Sequence, residues 1–210
     1  GLLSENASFA KRCEEEGITF IGPTPDVIEK MGSKLSARKA MEEAGVPIIP
    51  GTNDPVETAA DAKRIADKIG YPVMVKASYG GGGIGMEIVQ SEEELQKAIE
   101  SNAHRAEQFF GNGTLFIEKV IEDAHHVEIQ VLGDHHGNAV HLYDRECSIQ
   151  RRHQKVIEEA PSPLLTEDTR NEMGEKAVQA VKSLGYRNAG TLEFLVDEDQ
   201  NYYFLEMKDR

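Results

Sequence analysis

Apolar positions recur at helical spacing in three stretches near the start of the chain, SENASFAKRCEEEG, TPDVIEKMG and SKLSARKAMEEAG. The first carries polar capping residues and ends at Gly17, and the other two also stop at a glycine, so residues 1–47 are predicted to form helices with short links. Only GITFIGP, apolar and β-branched, suggests a strand there. From about residue 48 the pattern changes. PVETAADAKRIADKIG reads as a helix, YPVMVKA and MEIVQ as strands, SEEELQKAIESNAHRAEQFF as a helix and GTLFIEKVI as extended, which makes a compact α+β module between VPIIPGTNDP and IEDAHH. Beyond it the chain is strand-rich. HHVEIQVLG and AVHLYDREC flank the turn DHHGN, and a helix TEDTRNEMGEKAVQAVKSLG precedes AGTLEFLVD and NYYFLEM, which pair around EDQN. No repeat or low-complexity segment interrupts this order. The simplest architecture is two α+β modules of different size with a cleft between them.

With 210 residues, 39% hydrophobic and 29% charged, the chain has the composition of a soluble globular protein with a substantial core. Its net charge of −14 argues against a nucleic-acid surface, so any nucleotide site would be a local basic pocket in an acidic molecule. Cys13 and Cys147 have no metal-type spacing, which predicts reduced thiols in a cytoplasmic protein. No apolar run approaches the roughly 18 residues of a membrane span. GLLSENASFAKRC is expected to be neither a signal nor a transit peptide, and the chain begins as though cut from something longer.

Candidate chemistry starts at KASYGGGGIGME. Gly80, Gly82 and Gly85 formally match a dinucleotide fingerprint, but a strand rather than a helix follows, and no Gly-Lys-Ser/Thr closes a Walker loop. What remains is a strand-to-strand turn rich in backbone N–H donors with Lys76 on the entering strand, able to bind an anion such as phosphate; a mobile surface hairpin is the plainer reading. In the last hairpin, a four-residue turn at 198–201 sets Val196 opposite Tyr203 and, in the same register, Glu193 opposite Glu206. Facing carboxylates destabilise a sheet unless a divalent cation joins them, and hard oxygen ligands suit Mg²⁺. An exposed face with two unrelated acids, or another register, is the alternative. QRRHQKVIEEAPSP gathers Arg151, Arg152, His153 and Lys155; it reads as a solvated basic loop or, if extended, sets His153 and Lys155 on one side for a small anion. His125 and His126 lack a zinc pattern. FIEKVIED could offer main-chain groups to an adenine edge between the modules, with Glu118 and Lys119 as polar handles, or be an ordinary core strand.

MGSKLSARKAMEEAGVP, YPVMVKASYGGGGIGM, FIEKVIEDAHHVEIQVLGD, DRECSIQRRHQKVIEEAP and AGTLEFLVD…YYFLEM occur in that order, and in them nearly the whole chain resembles biotin carboxylase, an ATP-grasp enzyme. The resemblance implies an α+β ATP-grasp fold: 1–48 as the end of an N-terminal module and a helical linker, 49–121 as the lid, and 122–210 as the first part of a larger module with an antiparallel sheet. It implies that Lys34 and Lys76 contact ATP phosphates, that Gly80, Gly81, Gly82, Gly83, Gly85 and Met86 close over them, that Glu118, Lys119, Val120 and Ile121 line the adenine pocket, and that His126 and Gln150 lie near the ribose. Glu193 and Glu206 would hold Mg²⁺ or Mn²⁺, while Lys155, His153 and Arg210 would serve the bicarbonate chemistry. The implied reaction makes carboxyphosphate from ATP and bicarbonate and carboxylates biotin on a carrier protein or domain; such phosphoryl transfer rests on positioning and electrostatics. A separate carboxyltransferase completes the complex, for which the resemblance covers acetyl-CoA carboxylase of fatty acid biosynthesis, other acyl-CoA carboxylases and pyruvate carboxylase, with a cytoplasmic homodimer as the parent.

Three departures stand out. Lys208 occupies the place of the family's metal-site Asn, Tyr79 and Ile84 stand where many relatives have Gly and Arg, and the chain stops before the family's base. It is therefore expected to be inactive or nearly so alone. Another ATP-grasp ligase, of the carbamoyl-phosphate synthetase kind, or a non-catalytic nucleotide-binding module are the alternatives.

Overall fold

The computed structural model describes residues 3–56, 58–79, 85–152 and 154–209. The chain opens with helices α1 (Ala7–Glu15), α2 (Pro25–Gly32) and α3 (Lys34–Glu43). Asn6 caps α1 by accepting from the Phe9 N–H, Pro25 sits in the first turn of α2, and Ser33 accepts from the Ser36 N–H at the head of α3, each answering a backbone donor or filling a position that lacks a partner. The strand predicted for GITFIGP does not form. Residues 18–24 have no regular structure, and Ile18 and Ile21 are 60% and 83% exposed; β-branched composition makes no strand where no described neighbour supplies a ladder.

The next unit comprises α4 (Ala59–Ile69), β1 (Val73–Ala77), β2 (Met86–Val89), α5 (Glu92–Phe110) and β3 (Leu115–Lys119). Strand β1 lies between β2 and β3 and runs antiparallel to both. Strand alternation gives this sheet two faces. Val73, Val75, Ala77, Val89, Leu115 and Ile117 pack on Ala62, Ala66, Leu95, Ala98 and Ala106 of the two helices. Lys76, Phe116 and Glu118 project from the opposite face.

The remainder is β4 (His125–Gly133), β5 (Ala139–Arg151), β6 (Gln154–Glu159), α6 (Glu167–Leu184), β7 (Asn188–Val196) and β8 (Tyr202–Asp209). Its five strands form an antiparallel sheet in the order β6-β5-β4-β7-β8. Val127, Ile129, Val131, Leu192, Phe194 and Phe204 on one face pack on Met173, Ala177 and Val181 of α6, and the same core takes in Val27, Met31, Met41 and Val46. Helices α2 and α3 therefore share the core of the large sheet. Of the stretch read as a basic loop or an extended segment, Arg151 ends β5, Arg152 lies in a turn and Lys155 is on the edge strand β6, with Ile157 opposite Ile149 and Lys155 opposite Gln150.

The predicted four-residue turn of the last hairpin is corrected to five residues, 197–201, closed by Asp197 N–H donating to the Asn201 carbonyl at 3.0 Å. Val196 consequently faces Tyr202. A bulge between Phe194 and Glu193 inserts the compensating residue and returns Glu193 to a position opposite Glu206.

The two sheets are stitched by residues 47–52. Phe204 N–H donates to the Pro47 carbonyl at 2.8 Å, while Lys119 N–H reaches the Pro50 carbonyl at 2.7 Å and Thr52 N–H the Ile117 carbonyl at 2.9 Å. Gly51 bridges Glu118 here, and a Cβ on it would lie 2.4 Å from the Ile117 oxygen, so only glycine fits.

Candidate nucleotide site

The other face of the large sheet is polar because period-two alternation along β4 brings out His126, Glu128 and Gln130. Glu128, 1% exposed, accepts from Arg145 Nε at 2.6 Å and from Lys155 Nζ. Lys155 Nζ also donates to Glu193 Oε1 at 2.8 Å, and His126 Nε2 lies 2.8 Å from Glu193 Oε2. Gln150 Nε2 and His126 Nδ1 are 3.0 Å apart. Burial works against the Glu193 carboxylate, yet His126 and Lys155 outweigh it and hold it well below the usual carboxylate range. Burial likewise works against the Lys155 ammonium, and the hydrogen bonds to Glu128 and Glu193 overcome this and raise its pKa.

Beside this array stands Glu206, directly opposite Glu193 on β8, its Oε2 3.1 Å from Lys208 Nζ. Burial would lower the Lys208 pKa, but Glu206 raises it. A cleft of about 260 Å³ is lined by Lys34, Glu206 and Lys208 with the apolar Ile28 and Met31. Burial pulls Lys34 down to about 8; Glu206 and Glu118 oppose this while Lys76 and Lys208 add to it, which puts Lys34 within the fields of both modules.

On the small module, Lys76 is 5% exposed and donates to Glu118 Oε1 at 2.7 Å, and Arg38 Nη1 donates to Glu118 Oε2 at 3.0 Å. The head of α3 is fastened to the end of β1 by Lys34 N–H donating to the Ser78 carbonyl at 2.9 Å, with the Ser33 and Ser78 hydroxyls 3.3 Å apart. Lys34 and Lys76 are thereby held in a fixed relation.

Of the predicted residues, His126, Gln150, Lys155 and Glu193 form one bonded group with Glu206 opposite Glu193, Lys76 and Glu118 form a second, Lys34 lines a cleft with Glu206, and Met86 is paired to Lys76 across the small sheet. Gly80, Gly81, Gly82, Gly83, His153 and Arg210 lie outside the described residues. Gly85 has a local cause: its φ is +73° and a Cβ would come within 2.9 Å of the Ala77 Cβ. Lys119 is committed to structure, its Nζ donating to the Gly70 and Tyr71 carbonyls at 3.0 Å each. Val120 N–H donates to the Pro72 carbonyl at 3.2 Å, so of the four residues proposed to line an adenine pocket Ile121 takes no part in these bonds.

Sequence reasoning missed Arg38, Glu128, Arg145 and the Ser33–Ser78 fastening. Glu128 carried a signal, a carboxylate at period two between His126 and Gln130, whereas Arg38 carried none. For a divalent cation the two facing carboxylates supply suitable hard oxygens, and Lys208 brings an ammonium where the resemblance places a further donor. Among the described residues one trio of potential metal ligands, Glu128, Cys147 and Glu158, falls within 4.8 Å, but Arg145 and Lys155 already compensate Glu128. Cys13 and Cys147 form no disulfide with each other and are both buried, and burial pushes the Cys147 thiol up to about 12.

A small antiparallel sheet backed by helices together with a larger helix-backed antiparallel sheet matches the ATP-grasp fold. The family model "Carbamoyl-phosphate synthase L chain, ATP binding domain" matches residues 33–210, and "Biotin carboxylase, N-terminal domain" matches residues 1–28. The chain belongs to this family of ATP-binding domains. Similar proteins include Biotin carboxylase 2 of Bacillus subtilis, 60% identical over 210 residues, covering 100% of this chain and 47% of that protein, and Pyruvate carboxylase 1 of Caenorhabditis elegans, 50% identical over 210 residues, covering 100% of this chain and 18% of that protein. The biotin carboxylase–beta-gamma-ATP complex from Campylobacter jejuni superposes with a TM-score of 0.96 at 48% identity, over 99% of this chain and 47% of the other. The biotin carboxylase domain dimer of Hydrogenobacter thermophilus 2-oxoglutarate carboxylase, in complex with MgADP, ADP and bicarbonate, gives 0.95 at 52% identity, over 99% and 46%. The chain spans about half the length of the biotin carboxylases it matches. Among the described residues no helix is long and apolar enough to cross a membrane.

Proposed function

We propose that the chain is the ATP-binding part of a biotin carboxylase, an ATP-dependent ligase that carboxylates biotin on a carrier protein with bicarbonate. The observation that carries this reading is the position of Lys34, which lines one cleft with Glu206 of the large sheet while its N–H is bonded to Ser78, next to the end of the strand that bears Lys76. A triphosphate laid between the sheets meets two lysines at one end and two carboxylates able to hold its Mg²⁺ at the other. The metal, when bound, neutralises phosphate charge during transfer. Lys34 and Lys76 orient the phosphates, and the hinge around Ile121 takes the adenine edge. Lys155, already fixed by Glu128 and Glu193, presents a positive charge to the bicarbonate-derived anion.

The partners under this reading are the biotin carrier and a carboxyltransferase, in a homodimeric parent of the cytoplasm; an acetyl-CoA carboxylase serving fatty acid biosynthesis is one setting, and a keto-acid carboxylase another. Calorimetric titration of the chain with MgATP tests it. Wild type binds, and Lys76→Ala and Glu206→Ala each weaken binding by about tenfold or more, the loss of one charge-assisted contact. Undiminished affinity in both variants would refute the assignment. In the longer protein that contains this chain, ATP cleavage depends on bicarbonate and is coupled to biotin carboxylation.

A further inference from the structure

Arg38 is 2% exposed, points from α3 into another module, and has no place in the reaction described above. Its Nη2 donates to the Ile49 carbonyl at 2.7 Å, inside the connector that stitches the sheets, and its Nη1 holds the Glu118 oxygen that Lys76 does not use. Both cations flank one aromatic ring, with Arg38 Cζ and Lys76 Nζ each 5.6 Å from the Phe116 centroid. The bonded cluster thus sets two cations against a single carboxylate and carries a formal charge of +1, with Arg38, Glu118 and Lys76 at 2%, 4% and 5% exposure, and the exposed Glu42 on α3 adds a smaller attraction on Arg38 without bonding to it. A buried surplus charge is unfavourable unless a counter-charge meets it. The ring quadrupole answers only part of it. The outstanding partner is an anion, and Lys76 is the member whose strand ends beside the head of α3 and Lys34.

We propose that Arg38 is a positioning residue for nucleotide phosphate: by sharing Glu118 it keeps Lys76 from being fully neutralised, so that Lys76 remains available to an anion. This rests on the nucleotide reading above and adds a residue that touches no substrate. Were Arg38 neutral, Glu118 would belong to Lys76 alone, the cluster would sum to zero, and phosphate would have to compete with a buried ion pair. Removing the Glu118 charge as well leaves Lys76 as the one cation and restores the surplus.

The test is calorimetric titration of the chain with MgATP and with inorganic tripolyphosphate, which lacks the adenine that Glu118 borders. Wild type, Arg38→Gln, Glu118→Gln and the double variant are compared, with folding checked by circular dichroism. Arg38→Gln raises Kd for both ligands about tenfold, and the double variant returns to within about threefold of wild type. A purely structural Arg38 would make the double variant as weak as Arg38→Gln or weaker, and that result overturns the proposal. Should the neutral variants fail to fold, Arg38→Lys decides: it keeps the charge while losing the fork, so tripolyphosphate binding survives, and its loss overturns the proposal. Wild type binding neither ligand would overturn the nucleotide reading and this inference with it; wild type binding without rescue overturns this inference alone.

Discussion

Lys34 carries its charge at the head of α3 against its surroundings. Burial lowers its pKa to about 8 from an ordinary value of 10.5. Between those values the unfolded chain binds more protons at this position than the native one, so stability rises with pH across the window, and below it the charge is a burden on the fold. Lys34→Met therefore raises the thermal midpoint at pH 7 and flattens the stability rise between pH 8 and 10, while MgATP affinity falls by about tenfold. Melting curves at the two ends of the window, read beside the titration, check this; a lower midpoint at pH 7 would contradict it. Lys76, Glu193 and Lys155 were legible in the sequence as charged residues inside strand-like or basic stretches, and Lys34, His126 and Gln150 through the resemblance. Arg38 was not. A charge on a short helix usually faces water, and only the packing of α3 across a second module's strand shows that this one does not.

Helices were legible throughout because caps and glycine stops mark their ends within the local sequence, as at Asn6 and Gly45. Strands were legible only where a partner lay nearby. GITFIGP has strand composition but pairs with no described strand, and QKVIEE becomes β6 because β5 offers its edge. The hairpin register was right at Glu193 and Glu206 and wrong at the turn, since the bulge that reconciles them leaves no mark in a two-residue period. Least legible was the connector 47–52, whose Pro-rich sequence reads as a link and which in fact bonds to both sheets. Gly51→Ala tests its importance. The new Cβ would sit 2.4 Å from the Ile117 oxygen and 2.7 Å from Glu118 Cα, both backbone atoms of a paired strand that cannot rotate away. The variant loses about 1–3 kcal/mol in denaturant unfolding, and because Glu118 moves with its Cα, MgATP affinity drops too. Unchanged stability would mean the connector bends freely and does not fix the small sheet.

The two cores differ in substance. The small module is filled largely by alanine and valine, with Ala62, Ala66, Ala98, Ala106, Val73, Val75 and Val89, whereas the large one buries Met41, Met173, Phe194, Phe204 and Tyr202. Stabilisation follows apolar area removed from water at about 25 cal/mol per Å², so the small module has less to hold it shut and opens more readily on its own. In hydrogen exchange the amides of β1 and β3 consequently exchange faster than those of β4 and β7. Under the proposed function, MgATP meeting Lys76 on one sheet and Glu193 and Glu206 on the other would couple the two openings, because a ligand that binds only the closed arrangement stabilises everything that must be closed to bind it. Protection then rises most in the small module, where opening is easiest, and at saturating nucleotide the two sheets approach a common rate. If β1 and β3 already match β4 and β7 without nucleotide, the connector and the Arg38–Glu118–Lys76 cluster have fused the modules into one cooperative unit, and nucleotide would then slow both sheets by the same factor.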